Sequence, residues 1–258
     1  MRTSNPVLSR QDAFTPYQAP QGHQGPPGQQ TGRMTLDDVL TKTGITIGLV
    51  VLAAAATFFL MPPAILPLAG IGAALSTIVI TFIVAFRRTV SPALVVLFAL
   101  IEGVFVGAIS KFFENAYSGI VTQAIFGTLV AAVATLGAYK FFNIRVTAKF
   151  TKIVGIATLA FAVATLANFL LALAGVNGGA GLGLRSGVTG QVSLLAIGVS
   201  AIAVVLAVLN LVLDFDYIER GIEMGAPANQ SWKAAFGLTV TLVWLYVEIL
   251  RILSYFRR

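Results

Sequence analysis

The chain has no cysteine and a single histidine, His23, in 258 residues. Without cysteine there is no disulfide framework, no thiolate nucleophile and no sulfur-ligated metal site. His23 lies in a polar N-terminal stretch, so the apolar part of the chain has no histidine base and no His-ligated zinc site. No HExxH motif and no paired protease aspartates occur in the expected spans. An intramembrane enzyme is therefore not expected.

Charge is also scarce. Charged residues make up 10% of the chain and hydrophobic residues 57%, whereas a soluble domain carries roughly 25% charged residues. Such a chain cannot cover itself with polar surface, and the expected class is a polytopic membrane protein. The net charge of +7 fits loop residues that set topology and meet anionic lipid, not a nucleic-acid interface.

The N-terminal residues 1–41 differ from the rest. The stretch "YQAPQGHQGPPGQQTG" (Tyr17 to Gly32) is rich in Pro, Gln and Gly and has no apolar periodicity. It cannot bury enough surface to offset the entropy of ordering, so a disordered cytoplasmic tail is expected. It contains no apolar run of the signal-peptide type. "MTLDDVL" (Met34 to Leu40) reads as a short interfacial helix leading into the membrane.

Residues 42–258 form a series of apolar runs: about Gly44–Met61, Ala64–Phe86, Pro92–Ser110, Ser118–Phe142, Ile153–Gly175, Val192–Leu213 and Ala234–Phe256. The sixth is expected to continue as helix to Glu223. A helix needs about 20 residues to cross the hydrocarbon core. No run alternates with a period of two, so helices and not barrel strands are expected. The fold class is an all-α membrane protein, a seven-transmembrane-helix bundle. The seventh span is the most polar, with Thr239, Thr241, Glu248 and Arg251, and belongs at the centre, shielded from lipid.

Basic residues set the orientation. Arg2, Arg10, Arg33 and Lys42 precede the first span. Arg87 and Arg88 follow the second, and Lys140, Arg145, Lys149 and Lys152 lie between the fourth and fifth. The odd-numbered connections are nearly uncharged. The N-terminus and even-numbered connections are expected on the cytoplasmic side of a cell membrane. Seven crossings then place Arg257 and Arg258 outside, unless the seventh segment re-enters.

An ionisable group inside a span costs about 2.5–3.5 kcal/mol or more on insertion scales. The candidates are Glu102 in span three, Asp214 at the end of span six, and Glu248 and Arg251 in span seven. Asn210 and Asp214, at i and i+4, share one helix face. Asp216 lies about 200° around from Asp214 and is spaced to pair with Arg220 at i+4. Glu102 can be interhelical glue or can line a permeation path. Glu248 and Arg251 can form an internal salt bridge. The group Asp216, Glu219, Arg220 and Glu223 can be a solvated helix end. Asp214 can bind a cation or titrate. The pairs Gly44/Gly48 and Gly103/Gly107 point to close helix packing. "NGGAGLGLRSG" (Asn177 to Gly187) reads as a flexible connection.

Two segments in this layout carry a family resemblance. "ALIEGVFVGAIS" (Ala99 to Ser110) and "LVLDFDYIERG" (Leu211 to Gly221), followed by a last span ending "EILRIL", resemble the Bax inhibitor family, in a bacterial branch with a polar N-terminal extension. The resemblance covers about Lys42 to Arg258. It implies a seven-helix fold and a pH-sensitive calcium leak, in which an aspartate ending span six and another in span seven share a proton and close the pore. Asp214 matches the first aspartate. Counting back from Arg251, the second position is Thr241, and Asp216 or Glu248 is left as a substitute. The site expected on this basis comprises Asp214 (as calcium ligand or gate), Glu102, Glu248 and Asn210, with Asp216, Arg220 and Arg251 as pair partners. No cofactor is expected beyond transient calcium. The partners are the bilayer, cations including protons, and membrane proteins. The alternative is a non-conducting regulator of stress responses or membrane proteases, acting by protein and lipid contacts.

Overall fold

A computed structural model describes residues 32–87, 89–142, 144, 146–184 and 193–257. The tail through Thr31, the basic residues Arg88, Arg145, Arg185 and Arg258, and the distal part of the glycine-rich connection lie outside the described residues.

Seven helices follow in order: α1 (Leu36–Leu60), α2 (Leu66–Phe86), α3 (Pro92–Ala116), α4 (Ile120–Phe141), α5 (Ala148–Leu173), α6 (Leu194–Glu223) and α7 (Gln230–Phe256). A 3₁₀ turn, Val176–Gly179, follows α5. All seven helices are long and apolar enough to cross a membrane. At 1.5 Å per residue they measure about 31–45 Å, enough for a core of roughly 30 Å.

Local chemistry starts the helices. The side chains of Thr35, Ser91, Thr147 and Ser193 each accept a hydrogen bond from a first-turn N–H, which satisfies a donor that the helix leaves open. Pro92 occupies the first position of α3, where its missing N–H costs nothing. Helix α4 has no capping side chain of its own. Glu114 of α3 supplies one, accepting from Gly119 N at 2.5 Å and Val121 N at 3.1 Å.

Helix α1 begins earlier than the apolar run does. Residues 36–41, grouped with the tail by composition, are its first turns, and among the described residues no separate interfacial helix precedes it. The Thr35 cap and acidic first turn, Asp37 and Asp38, favour helix here despite the polar composition.

Helix α7 is the centre of the bundle. It packs on α1, α3, α4 and α6 and buries Thr239, Leu245, Glu248 and Leu250 almost completely. Helix α5 is peripheral and buries only Val154 and Asn168. The closest pair is α1 with α3. A Cβ placed on Gly103 would lie 2.5 Å from Ala53 Cβ and 2.6 Å from Val50 O. Only a residue without a side chain allows this approach. Gly44 and Gly48 correct the parallel expectation: nothing would meet a Cβ there within 4 Å, so that pair packs against no helix.

Polar contacts sort the helix ends onto two faces. On the first, Met34 N donates to Ala226 O at 2.7 Å, Lys233 Nζ to Arg87 O at 3.0 Å, and an Arg220 guanidinium N–H to Val146 O at 2.6 Å. These gather the start of α1 and the α2–α3, α4–α5 and α6–α7 connections onto one face. On the second, Lys111 Nζ donates to Phe58 O at 2.7 Å, and Arg257 donates to Ser118 O. Helix α7 therefore runs from the first face to the second and does not re-enter.

Candidate functional site

Helix α6 continues as an unbroken helix past its apolar run to Glu223, because no proline and no left-handed residue interrupts it. It is stopped by Gly225, whose φ is +66°. There Ala226 N donates to Gly221 O at 2.9 Å and Gly225 N to Ile222 O at 3.0 Å. This is the Schellman arrangement that satisfies the last carbonyls, and it requires left-handed backbone at the glycine. The turn brings α7 back antiparallel beside α6 and sets the polar residues of the two helices side by side.

Asp214 then faces α7. Its Oδ2 accepts a hydrogen bond from Thr241 Oγ1 at 2.7 Å. Its Oδ1 lies 3.5 Å from where a Cβ of Gly237 would stand. The carboxylate is partly buried and lines a cleft of about 210 Å³ between α2 and the α6–α7 pair. Thr81, Val84 and Ala85 form one wall; Tyr217, Lys233, Ala234, Phe236 and Gly237 complete it.

The position opposite Asp214 thus belongs to Thr241, the residue reached by counting back from Arg251. Neither proposed substitute stands there. Asp216 Oδ2 pairs with Arg220 Nε at 2.8 Å. Glu248 is seven residues beyond Thr241, about 10 Å along the helix axis, and its Oε2 lies 3.7 Å from Arg251 Nε. Both ion pairs have the spacings read from the sequence, because i, i+3 and i, i+4 neighbours meet within any helix.

Asn210 departs from expectation. Its Nδ2 donates to Thr158 Oγ1 of α5 at 2.7 Å and to Leu206 O at 2.8 Å. Asn210 and Asp214 therefore address different helices and do not act as one stripe. Four residues of helix turn about 400°, and the resulting offset carries the two side chains to opposite sides of a boundary between neighbours.

Glu102 is buried on α3, 8% exposed, with the Thr77 hydroxyl of α2 as its polar neighbour. It lies ten residues from the start of its helix, about 15 Å along it. The acidic end of α6 is not simply solvated. Tyr139 OH of α4 donates to Glu219 Oε2 at 2.5 Å, and Arg220 bridges Asp216 to the α4–α5 connection.

One residue passed over as a loop charge is structural. Lys42 is 4% exposed. Its Nζ donates to Ser231 Oγ at 2.6 Å and Ala228 O at 3.2 Å and stands 5.5 Å from the Trp232 ring centroid. This ties α1 to the start of α7. The signal was the Thr35–Asp38 cap, which places Lys42 inside the helix, in its second turn. Ser110 and Tyr246 also meet, hydroxyl to hydroxyl at 2.7 Å, between α3 and α7.

Among the described residues, no group of three or more His, Cys, Asp or Glu side chains could hold a metal ion. Calcium takes six to eight oxygen ligands. Asp214 with Thr241 supplies one carboxylate and one hydroxyl, fewer oxygens than such a shell.

No curated protein gives a significant match to the chain. A family model described as Bax inhibitor 1 like matches residues 5–258, and this agrees with the seven apolar helices. The chain belongs to the Bax inhibitor 1 like family of multi-pass membrane proteins.

Proposed function

We propose that the protein is a cation leak pathway, with calcium as its physiological ion and Asp214 as the carboxylate that meets the ion at the first face. The single observation that carries this reading is the position of Asp214, on a cleft and hydrogen-bonded to the central helix through Thr241. Conduction requires a contact strong enough to admit an ion and weak enough to release it. One carboxylate, one hydroxyl and water meet that requirement better than a full coordination shell. Glu102 and the Glu248–Arg251 pair are the interior polar groups of the pathway.

The first face is the cytoplasmic one. Among the described residues it carries Arg33, Lys42, Arg87, Lys140, Lys149, Lys152, Arg220 and Lys233, against Lys111 and Arg257 at the ends of helices on the other. This is the bias that orients membrane proteins. We place the N-terminus inside by this bias, and take the membrane to be a bacterial cell membrane from the family resemblance alone.

Gating by proton sharing between two acids needs two acids within about 4–6 Å. Thr241 leaves one. The leak is therefore expected to titrate as a single site. The test is calcium flux into liposomes holding the purified full chain. Asp214→Asn is expected to reduce flux, and Thr241→Asp to convert the pH profile to two coupled steps. Parental flux and pH profile in Asp214→Asn would sink the assignment. The second reading, a non-conducting regulator, is favoured by threonine at the position of the second acid. Absence of flux from the purified parent, with a cellular phenotype that survives Asp214→Asn, would establish it instead.

A further inference from the structure

We propose that the cleft between α2 and the α6–α7 pair holds the headgroup of an ethanolamine-type phospholipid, its ammonium on Asp214 and its phosphate on Lys233. The cleft has one acidic and one basic side chain. Within it Asp214 is engaged by Thr241 and Lys233 by the Arg87 carbonyl, and the two form no ion pair with each other. Opposite charges held apart in a lipid-adjacent cleft match a ligand that carries both. Lys233 and Gly237 are one helical turn apart, about 6 Å. Asp214 Oδ1 stands beside Gly237, whereas the Lys233 ammonium reaches toward the Arg87 carbonyl, so the two charges of the cleft sit at different levels along α7.

The position in the bundle fits. Thr81 and Ala85 lie in the last turns of α2, and Lys233 in the first turn of α7, near the first face. The surroundings are lipid-facing: Phe82, Phe86 and Tyr217 are exposed at 55%, 85% and 49%. Tyrosine at that level is a common interfacial anchor. Val84, Ala234 and Phe236 give the cleft an apolar wall for the glycerol end.

A primary ammonium is chosen over a quaternary one by hydrogen bonding. An ammonium donates to a carboxylate and a hydroxyl, here Asp214 and Thr81, as a lysine ammonium would. A trimethylammonium has no N–H. A lipid carrying only negative charge would leave Asp214 opposed to it.

Lipid occupancy rests on the cleft itself; only its effect on flux, competition between the ammonium and the incoming cation for Asp214, rests on the leak reading. The test uses the purified full chain in mixed micelles containing dioleoyl-phosphatidylethanolamine, -phosphatidylcholine or -phosphatidylglycerol, with retained lipid counted by native mass spectrometry. The parent is expected to retain one ethanolamine lipid at least about tenfold more strongly than the choline lipid, the worth of one charge-assisted hydrogen bond. Asp214→Asn is expected to erase that preference, and Lys233→Met to weaken both lipids. Ala85→Phe, at an exposed rim position, should fill the cleft and remove both while helicity is retained. Equal retention of ethanolamine and choline lipids by the parent, a preference for the glycerol lipid, or parental retention in Ala85→Phe would overturn the site. Absence of calcium flux from the parent, with its lipid preference intact, would defeat the leak reading alone.

Discussion

Replacing Gly103 with alanine tests the closest contact in the bundle. The new Cβ would stand 2.5 Å from Ala53 Cβ, 2.6 Å from Val50 O and 3.1 Å from Ala54 N. Carbon atoms rest at about 3.5–4.0 Å, so α1 and α3 must separate by about 1 Å. Two of the three obstructing atoms are backbone and cannot rotate away. Overpacking costs roughly 1–3 kcal/mol, and the rigid neighbours argue for the upper part of that range. Alanine recovers up to about 1 kcal/mol of helix propensity, which leaves about 1–2 kcal/mol of net destabilisation. Gly44→Ala and Gly48→Ala are the controls: with nothing within 4 Å, they should gain up to about 1 kcal/mol by the same propensity term. Two motifs of identical spacing thus have opposite expected signs. Unfolding of the purified protein in mixed micelles with increasing SDS, followed by circular dichroism, measures both. If Gly103→Ala proves as stable as Gly44→Ala, the close α1–α3 approach is wrong.

Arg251→Met should destabilise by about 3–5 kcal/mol, because it removes the cation facing the buried Glu248 carboxylate; adding Glu248→Gln should restore most of the loss in the same SDS titration. Ser110→Ala removes the hydroxyl that meets buried Tyr246 and should cost about 1–2 kcal/mol, with Tyr246→Phe in the double variant recovering part of it. Gly225→Ala places a Cβ at φ +66° and should cost about 1–2 kcal/mol, read as a lower SDS midpoint. Lys42→Ala leaves Ser231 and the Ala228 carbonyl without their ammonium partner. It is expected to loosen the α1–α7 junction, seen as faster hydrogen exchange at the start of α7 by mass spectrometry.

The seven spans were legible because each depends only on its own composition: about 20 apolar residues make a crossing helix whatever lies beside it. The Asp216–Arg220 and Glu248–Arg251 pairs were legible for the same reason, since helix geometry alone brings them together. The start of α1 was obscured because polar residues 36–41 break the hydropathy signal, although Thr35 and Asp38 announce a helix. Thr241 was singled out only through the family resemblance, as the position of the second aspartate counted back from Arg251, and not by any property of threonine. The partner of Asn210 could not be read at all, because Thr158 lies 52 residues away on another helix.

By itself the sequence determined that this chain enters a membrane, that it does so as seven helices, and which few ionisable residues are costly to place there. Those are consequences of length, apolarity and intrahelical spacing. Tertiary structure alone decided which glycine pair touches a neighbour, that Asn210 and Asp214 face different helices, that Lys42 is a buried tie and not a loop charge, and that Asp214 meets a hydroxyl instead of a second acid. Each of these depends on how helices distant in sequence are rotated and pressed together. Packing fixes that rotation, and no local pattern encodes it.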